Sequence, residues 1–457
     1  MQKERVLLCT ITPQEPYIQL GLYNLKVYVE KYSVHSPRID ILEIHTHIYP
    51  TDTKTSYPSL SDSLLFEQAM KIVQKKVTII GFSCFMWNIE PTLRLCEIIK
   101  RISPLSIIIL GGPEVSTNTE QLLKRNKCID IICRDEGEQT FLEIISLHRR
   151  EIEITKIMGI SYRANGSIYR NGDRKPLDLK LIPSPYLAGL IKIKKNTLVS
   201  IETSRGCPFN CSYCTYSVRM YHNLRFFPLD RAKRELEYIF KYKPKEISIN
   251  DDNFNIYPKR SAALLRFINK LKSKTIVQIF INASMWKIDR KFILLLKQGK
   301  IHSAIGVQSI HKDTLENIHR KNVIPILEHN LRELDRNKVP YRLHLIMGLP
   351  GDTYEKLMKS IDWVGQFNAE EIYIFPLLVL RDTKLFSDTK KFGITFNRAS
   401  KHIISKTKNL SHKEFLKAMK IAYTLHSLYN TGKMKDKILA STHTLNMKLS
   451  EVLEHLI

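Results

Sequence analysis

Cysteine is scarce in this sequence, with eight in 457 residues. Five of them, Cys9, Cys84, Cys96, Cys128 and Cys133, are scattered through apolar segments. That excludes a disulfide scaffold and fits buried free thiols in a reducing compartment. Long apolar runs are absent as well. The longest, IYIFPLLVL at 372–380, falls far short of the ~18 residues of a membrane helix and contains Pro376. No membrane span is expected. The N-terminus, MQKERVLLCTI, has only a brief apolar stretch and no small-residue cleavage site, which argues against a secretory leader. A cytoplasmic protein is expected. The sequence shows no low-complexity tract, no repeat beyond a β/α rhythm, and no Ser/His/Asp set for nucleophilic catalysis.

Acidic residues are also under-supplied: 45 Asp+Glu against 71 Lys+Arg, for a net charge of +26. The excess is densest at 381–457, where 15 basic residues face 6 acidic ones. A basic chain suits an anionic partner such as nucleic acid. No aromatic-basic alternation of an RNA module accompanies it, so well-solvated lysines are the favoured reading.

What is present is an alternation of short apolar runs and amphipathic segments, in a chain long enough for two or three domains. Over 1–145 the runs RVLLCTI (5–11), IDILEIH (39–45), VTIIGFSCF (77–85), SIIILGG (106–112) and IDIICRDE (129–136) read as buried parallel strands. Helical patterns at 62–75, 90–102 and 117–125 lie between them. This predicts a doubly wound, Rossmann-like α/β domain, with ligands outside the carboxyl ends of the strands. Thr12, Ser83 to Asn88, Gly111 to Val115 and Glu136 to Glu138 fall there. Residues 146–196 read as a connector with Asn-Gly hairpin turns and three prolines in PLDLKLIPSPYLAGL.

The alternation restarts with six strand candidates at 198–203, 246–251, 277–282, 302–308, 341–347 and 371–377. Helical patterns at 230–241, 259–272, 288–299, 312–335 and 353–367 separate them. Six β/α units are fewer than the eight of a closed barrel, so an open, partial (β/α)6 barrel is expected over 197–380. Residues 381–457 lack strand signals and read as mainly helical.

The loop after the first of these strands, TSRGCPFNCSYC, spaces Cys207, Cys211 and Cys214 as C-x3-C-x2-C. Strand-end loops build the site in α/β barrels. Three thiolates suit a centre that keeps one position open, either a catalytic zinc or a [4Fe–4S] cluster with one free iron. The nearest histidine, His222, lies eight residues on, so a closed four-ligand site is disfavoured.

That spacing, on that loop, resembles the radical S-adenosylmethionine (SAM) enzymes. The resemblance implies that Cys207, Cys211 and Cys214 hold a [4Fe–4S] cluster whose free iron takes the amino and carboxylate groups of SAM. They would then be the catalytic set. It implies an external electron donor such as flavodoxin or ferredoxin. Gly206 lets the backbone approach closely, and Arg205 is placed to bias the cluster electrostatically. Tyr213 matches the aromatic position that borders the adenine. In INDDNFN (249–255), Asp252 and Asn253 stand where the family contacts the methionine end of SAM, although the segment departs from the commonest Gly-Gly-Glu. Ser284 in NAS, Gln308 in IGVQSIHKDTLENIHRKN and Gly348 in MGLPGDT fall at the next three strand ends and are implied SAM contacts.

GFSCFMWN (81–88), LGGPEVS (110–116) and DEGEQTF (135–141) resemble the cobalamin-binding domain of cobalamin-dependent radical SAM proteins. Ser83, Gly111, Gly112, Glu114 and Glu138 are the implied contacts. The Asp-x-His-x-x-Gly motif that ligates cobalt from below is absent. His45 and His47 lack its glycine and read as ordinary strand-end histidines. The resemblance thus implies cobalamin held without a protein histidine. It implies methyl transfer to a weakly activated carbon, where one SAM charges the cobalt with a methyl group and a second supplies the hydrogen-abstracting radical. A cobalamin-linked rearrangement or cyclisation is the alternative within the family. An iron–sulfur nucleic-acid binder or redox sensor is the alternative outside it.

Overall fold

The computed structural model describes residues 5–13, 18–35, 37–46, 60–148, 151–195, 197–215, 224–396, 402–444 and 447–457. The chain divides into two compact units, Met1–Lys192 and Ile193–Ile457.

In the first unit, β1 (Arg5–Pro13), β2 (Arg38–Thr46), β3 (Ile79–Ser83), β4 (Ile107–Gly111) and β5 (Ile131–Cys133) are parallel, in the order β2-β1-β3-β4-β5. Helices α1 (Leu20–Tyr32), α2 (Asp62–Gln74), α3 (Ile89–Ile102), α4 (Thr119–Arg125) and α5 (Glu138–His148) connect and follow them. Successive strand residues point to opposite faces. Leu7, Cys9 and Ile11 of β1 join a core with Leu65, Ile72, Leu95 and Ile99 of α2 and α3. Val6 and Leu8 join the other core, with Leu22, Val29, Phe141 and Ile144 of α1 and α5. Burial on both faces is why β1 is a continuous apolar run. All five scattered cysteines are buried free thiols. Burial pushes Cys128 up to about 11 and Cys133 up to about 12, so neither is a thiolate near neutral pH.

Residues 146–192 do more than connect. β6 (Ile160–Ala164) and β7 (Ser167–Arg170) form an antiparallel hairpin that extends the sheet beyond β5. Its turn places Asn165 at φ +48° and Gly166 at φ +74°, the conformation an Asn-Gly pair favours. The buried Arg134 fixes the hairpin through Ser161 Oγ (2.9 Å), the Asn171 carbonyl (2.6 Å) and Asp173 (3.0 Å). The compact unit that includes this hairpin runs from Met1 to Lys192.

In the second unit, β8 (Leu198–Ile201) opens the array. The short antiparallel pair β9 (Ser204–Arg205) and β10 (Arg225–Phe226) follows. Then come α6 (Leu229–Lys241), β11 (Glu246–Ile249), α7 (Pro258–Lys270), β12 (Ile276–Ile281), α8 (Arg290–Gln298), β13 (Ile301–Gln308), α9 (Lys312–Asn317), α10 (Ile324–Arg336), β14 (Tyr341–Met347), α11 (Tyr354–Val364) and β15 (Glu371–Pro376). The six main strands are parallel and sequential, β8-β11-β12-β13-β14-β15, and the end strands do not meet. This is an open half-barrel. In β14, Tyr341, Leu343, Leu345 and Met347 are buried, and Tyr341 bonds Asp335 of α10. Arg342, His344 and Ile346 therefore line the inner face.

The single helix expected over 312–335 is broken into α9 and α10. Pro325, in the first turn of α10, cannot continue a helix from α9. His319 takes a left-handed φ of +52° in the intervening turn.

The C-terminal region holds α12 (Lys384–Ser387), a small pair β16 (Thr395–Phe396) and β17 (Ile404–Lys406), α13 (His412–Thr424), a π-helical turn at Leu425–Asn430, α14 (Lys435–Thr444) and α15 (Leu449–His455). It is mainly helical, and it covers the edge strand β15. Asn430 donates to the Ile372 carbonyl (2.8 Å) and accepts from its N–H (2.9 Å). Lys435 Nζ reaches the carbonyls of Ala369 (2.9 Å) and Glu370 (2.8 Å).

Candidate functional site

The three-cysteine loop is pinned from beneath by a buried carboxylate. Asp251, just past β11, accepts from the backbone N–H groups of Thr203 (2.7 Å) and Ser204 (2.9 Å) and from the Thr203 hydroxyl (2.5 Å). Burial raises its pKa, and these three bonds pull it part of the way back. Two cross-ties fix the far side of the loop. Ser212 N–H donates to the Ile318 carbonyl (2.9 Å), and Leu385 N–H donates to the Ser212 carbonyl (2.8 Å). Gly206 takes φ +102°, open to glycine. Arg205 pairs with Glu202 at 3.0 Å and lies 5.6 Å from the Phe227 ring.

Cys211 is buried; Cys207 and Cys214 are half-buried. Burial pushes the Cys207 thiol above its ordinary value. The Asn253 amide sits 3.8 Å from Cys207 Sγ, and Arg320 Nη1 sits 3.8 Å from Cys211 Sγ. Arg320 also reaches Tyr213 Oη (3.4 Å), the Gly306 carbonyl (2.5 Å) and Asn322 Oδ1 (3.0 Å). It sits in the turn between α9 and α10, so the Pro325 helix break delivers it to the thiols. Sequence reading quoted its segment without singling it out. The only signal available was that proline.

Among the described residues no three His, Cys, Asp or Glu side chains are gathered tightly enough to hold a single metal ion. His222 lies outside the described residues.

The expected SAM contacts divide into two groups. Asp252 and Asn253 stand at the loop. Burial pushes Asp252 up to about 7, and the carboxylates of Asp251 and Glu202 add to the rise. Gln308 ends β13 at φ +66°, a strained conformation for a non-glycine residue, beside a bulge in the sheet. Its Oε1 is buried without a hydrogen-bond partner. Ser284 and Gly348 are engaged with the protein itself. The Ser284 hydroxyl bonds Asn322 Oδ1 at 2.7 Å, bracing the Arg320 turn. A Cβ on Gly348 would lie 2.1 Å from Ile404 Cδ1, so this glycine seats β17.

Beside Gly348, Asp352 is buried, its Oδ1 has no partner, and burial pushes it up to about 7. The folded chain thus keeps a proton that the unfolded chain releases near 3.8. The stability this contributes is whole below about pH 4 and is lost as pH rises through about 7. Asp352→Asn is expected to be more stable relative to wild type at about pH 8 than at about pH 5. Urea unfolding of both proteins at the two pH values checks this. Equal differences at both would refute it.

In the first unit the sheet order reverses between β1 and β3, which marks the crevice where such folds take ligands. Asn88, fully buried, ties that edge together. Its Nδ2 donates to the Ile11 carbonyl (2.9 Å) and the Ser83 carbonyl (3.0 Å), and its Oδ1 accepts from Phe85 N–H (2.7 Å). The rings of Phe85 and Trp87 stack there, 4.5 Å apart and 6° from parallel. Ser83 and Glu114 are half-buried and Glu138 is buried. Gly111 closes β4. Gly112, at φ +107°, lets the loop approach the chain's own backbone, since a Cβ would fall 2.5 Å from the Cys84 carbonyl oxygen. His45 is exposed at the end of β2, and His47 lies outside the described residues.

Residues 201–364 match the Radical SAM superfamily, and residues 12–145 match the B12 binding domain. The chain is 27% identical to an uncharacterized methyltransferase of Pyrococcus horikoshii over 68% of its length and 69% of the relative's. It is 27% identical to the cobalamin-dependent radical SAM methyltransferase TokK of Streptomyces tokunonensis over 71% of its length, spanning half of TokK. Its fold is similar to that of OxsB, a cobalamin-dependent SAM radical enzyme, with TM-score 0.72 at 16% identity, over 100% of this chain and 72% of that one. A three-thiol loop on a six-stranded half-barrel, preceded by a doubly wound unit, leads with these matches to one assignment: the chain carries a radical SAM domain over 201–364 and a B12-binding domain over 12–145.

Proposed function

We propose that the protein is a cobalamin-dependent methyltransferase that acts on a weakly activated carbon. The observation that carries this reading is the loop of Cys207, Cys211 and Cys214, where N–H groups of Asn253 and Arg320 lie 3.8 Å from the sulfurs of Cys207 and Cys211. Donors to sulfur offset thiolate charge around a bound cluster. The unpartnered Gln308 Oε1 and the strained Gln308 backbone support a bound ligand at the same strand ends. The stacked Phe85–Trp87 pair, beside the point where the sheet order reverses between β1 and β3, offers aromatic surface to a large ring system.

When bound, the cluster and SAM supply a carbon radical able to take hydrogen from carbon, and cobalamin supplies the methyl group. The chain's own residues do the rest. The three cysteines would hold the iron, Asp251 sets the loop that carries them, and Arg320 places a positive charge beside Cys211 and Tyr213. No side-chain base is needed for hydrogen abstraction. The reducing electron would come from a small carrier such as flavodoxin or ferredoxin. No helix among the described residues is long and apolar enough to cross a membrane.

The test is anaerobic reconstitution with iron and sulfide, addition of hydroxocobalamin, desalting, and assay of SAM products. About four irons and about one corrin per chain are expected, with 5′-deoxyadenosine formed under reduction. No retained corrin with an intact cluster would overturn the methyl-transfer reading.

A further inference from the structure

The inner face of the half-barrel carries a set of rings that the cluster chemistry does not use. Phe280 of β12, His344 of β14, and Tyr373 and Phe375 of β15 all point inward. The His344 ring meets Phe280 at 6.2 Å, Tyr373 at 5.6 Å and Phe375 at 5.3 Å, each near edge-on. Tyr373 and Phe375 are parallel to within 6°, at 5.7 Å. His426, from the π-helical turn, closes the set 5.8 Å from Tyr373. β13, between Phe280 and His344, places the small residues Ala304 and Gly306 opposite them, so rings two strands apart can meet across it.

Phe280 and Phe375 are each 44% exposed. Large apolar rings on the inside of a barrel ordinarily fill it. Here they are left open, next to the site. Gly306 is the register partner of His344, and its carbonyl accepts from the same Arg320 that lies 3.8 Å from Cys211 Sγ. Adjacent strands are about 4.8 Å apart, so the rings begin one strand spacing from that contact.

We propose that Phe280, His344, Tyr373 and Phe375 form a subsite that takes an uncharged, flat aromatic group of the substrate, with the His344 imidazole as its polar contact. This rests on the radical SAM reading for the identity of the site, not for its binding chemistry. Parallel rings with edges presented by a third favour a planar guest. The His344 ring nitrogens make no hydrogen bond among the described residues and are available to one. Burial, together with the Arg342 charge, pushes His344 down to about 4, so it is neutral at ordinary pH. Aromatic cages also take cations. This one already has a cation next to it. Arg342, two residues before His344 on the same face, is ion-paired with Glu371, which in turn accepts from the Tyr373 hydroxyl. A second positive charge would meet Arg342.

N-methylquinolinium keeps the flat bicycle of quinoline but carries a positive charge and lacks its ring-nitrogen acceptor. Binding of each to the reconstituted full-length protein, followed by saturation-transfer NMR and calorimetry, separates the two kinds of guest. Quinoline is expected to bind at least about tenfold more tightly than its methylated cation. Phe280→Ala combined with Phe375→Ala should weaken quinoline by about tenfold or more, and both truncations fall on half-open side chains. Equal or tighter binding of the cation, or unchanged quinoline binding in the double variant, would overturn the proposal. SAM cleavage and iron content are read on the same samples. If they fail in wild type while quinoline binds as expected, the radical SAM reading fails and the subsite stands.

Discussion

Replacing Cys211 with alanine is expected to empty the cluster site and abolish SAM cleavage. Cys211 is the buried member of the three, only 8% exposed, in a loop held by Ile318 on one side and Leu385 on the other. The loop cannot shift to recruit a replacement ligand without breaking both ties. The substitution also leaves Arg320 without the sulfur that faces it at 3.8 Å, so a charge suited to a thiolate would face a methyl group. Iron should fall from about four to under about one per chain. 5′-Deoxyadenosine formation should drop by about a thousandfold or more. Cys9→Ala provides the control, since that thiol lies in the first unit's core with its pKa raised by burial. It should leave iron content unchanged. Full iron loading and cleavage in the Cys211 variant would remove the assignment of this loop.

The largest effect on stability is expected from Asp251→Ala. Its carboxylate accepts three hydrogen bonds, two from backbone N–H groups and one from the Thr203 hydroxyl. Thr203 and Ser204 are buried, so their donors would find no water. Each buried donor left unmade costs about 1–3 kcal/mol, and a combined loss of about 3–4 kcal/mol is expected. Asp251→Asn keeps an acceptor for the two N–H groups and should cost only about 1 kcal/mol. Denaturant unfolding of the three proteins measures this, and iron uptake reports whether the loop still presents its cysteines. An alanine variant with the wild-type midpoint and full iron would show that the loop needs no such anchor.

Much of this was legible in the sequence because apolar runs bounded by turns translate directly into buried strands. VQIFIN, YRLHLIM and EIYIFPL became β12, β14 and β15 nearly as read. The cysteine spacing was legible for a different reason, since all three cysteines lie on one local loop. What escaped depends on distance in the chain. Arg320 is 109 residues from Cys211, and only the fold brings them together. Phe280, His344 and Phe375 read as ordinary alternating strand positions, and nothing local says that their side faces inward and stays open. Glycines were ambiguous in a similar way. Gly112 and Gly348 were read as cofactor contacts, and in the structure Cys84 and Ile404 lie where their Cβ atoms would be. The segment after 145 was read as a connector because its strands are short and its prolines many. Its place in the sheet depends on Arg134, a buried charge that no periodicity announces.

Asn430 has a further consequence. A half-barrel ends in a strand whose outer N–H and C=O groups are a template for another chain. At Ile372 of β15 both groups are taken by one side-chain amide, which offers the donor and acceptor of a neighbouring strand without being one. The C-terminal helices contribute no strand to the main sheet, yet they help determine how many it has. They stop it at six, and by doing so they guard against edge-to-edge self-association at this point of the rim.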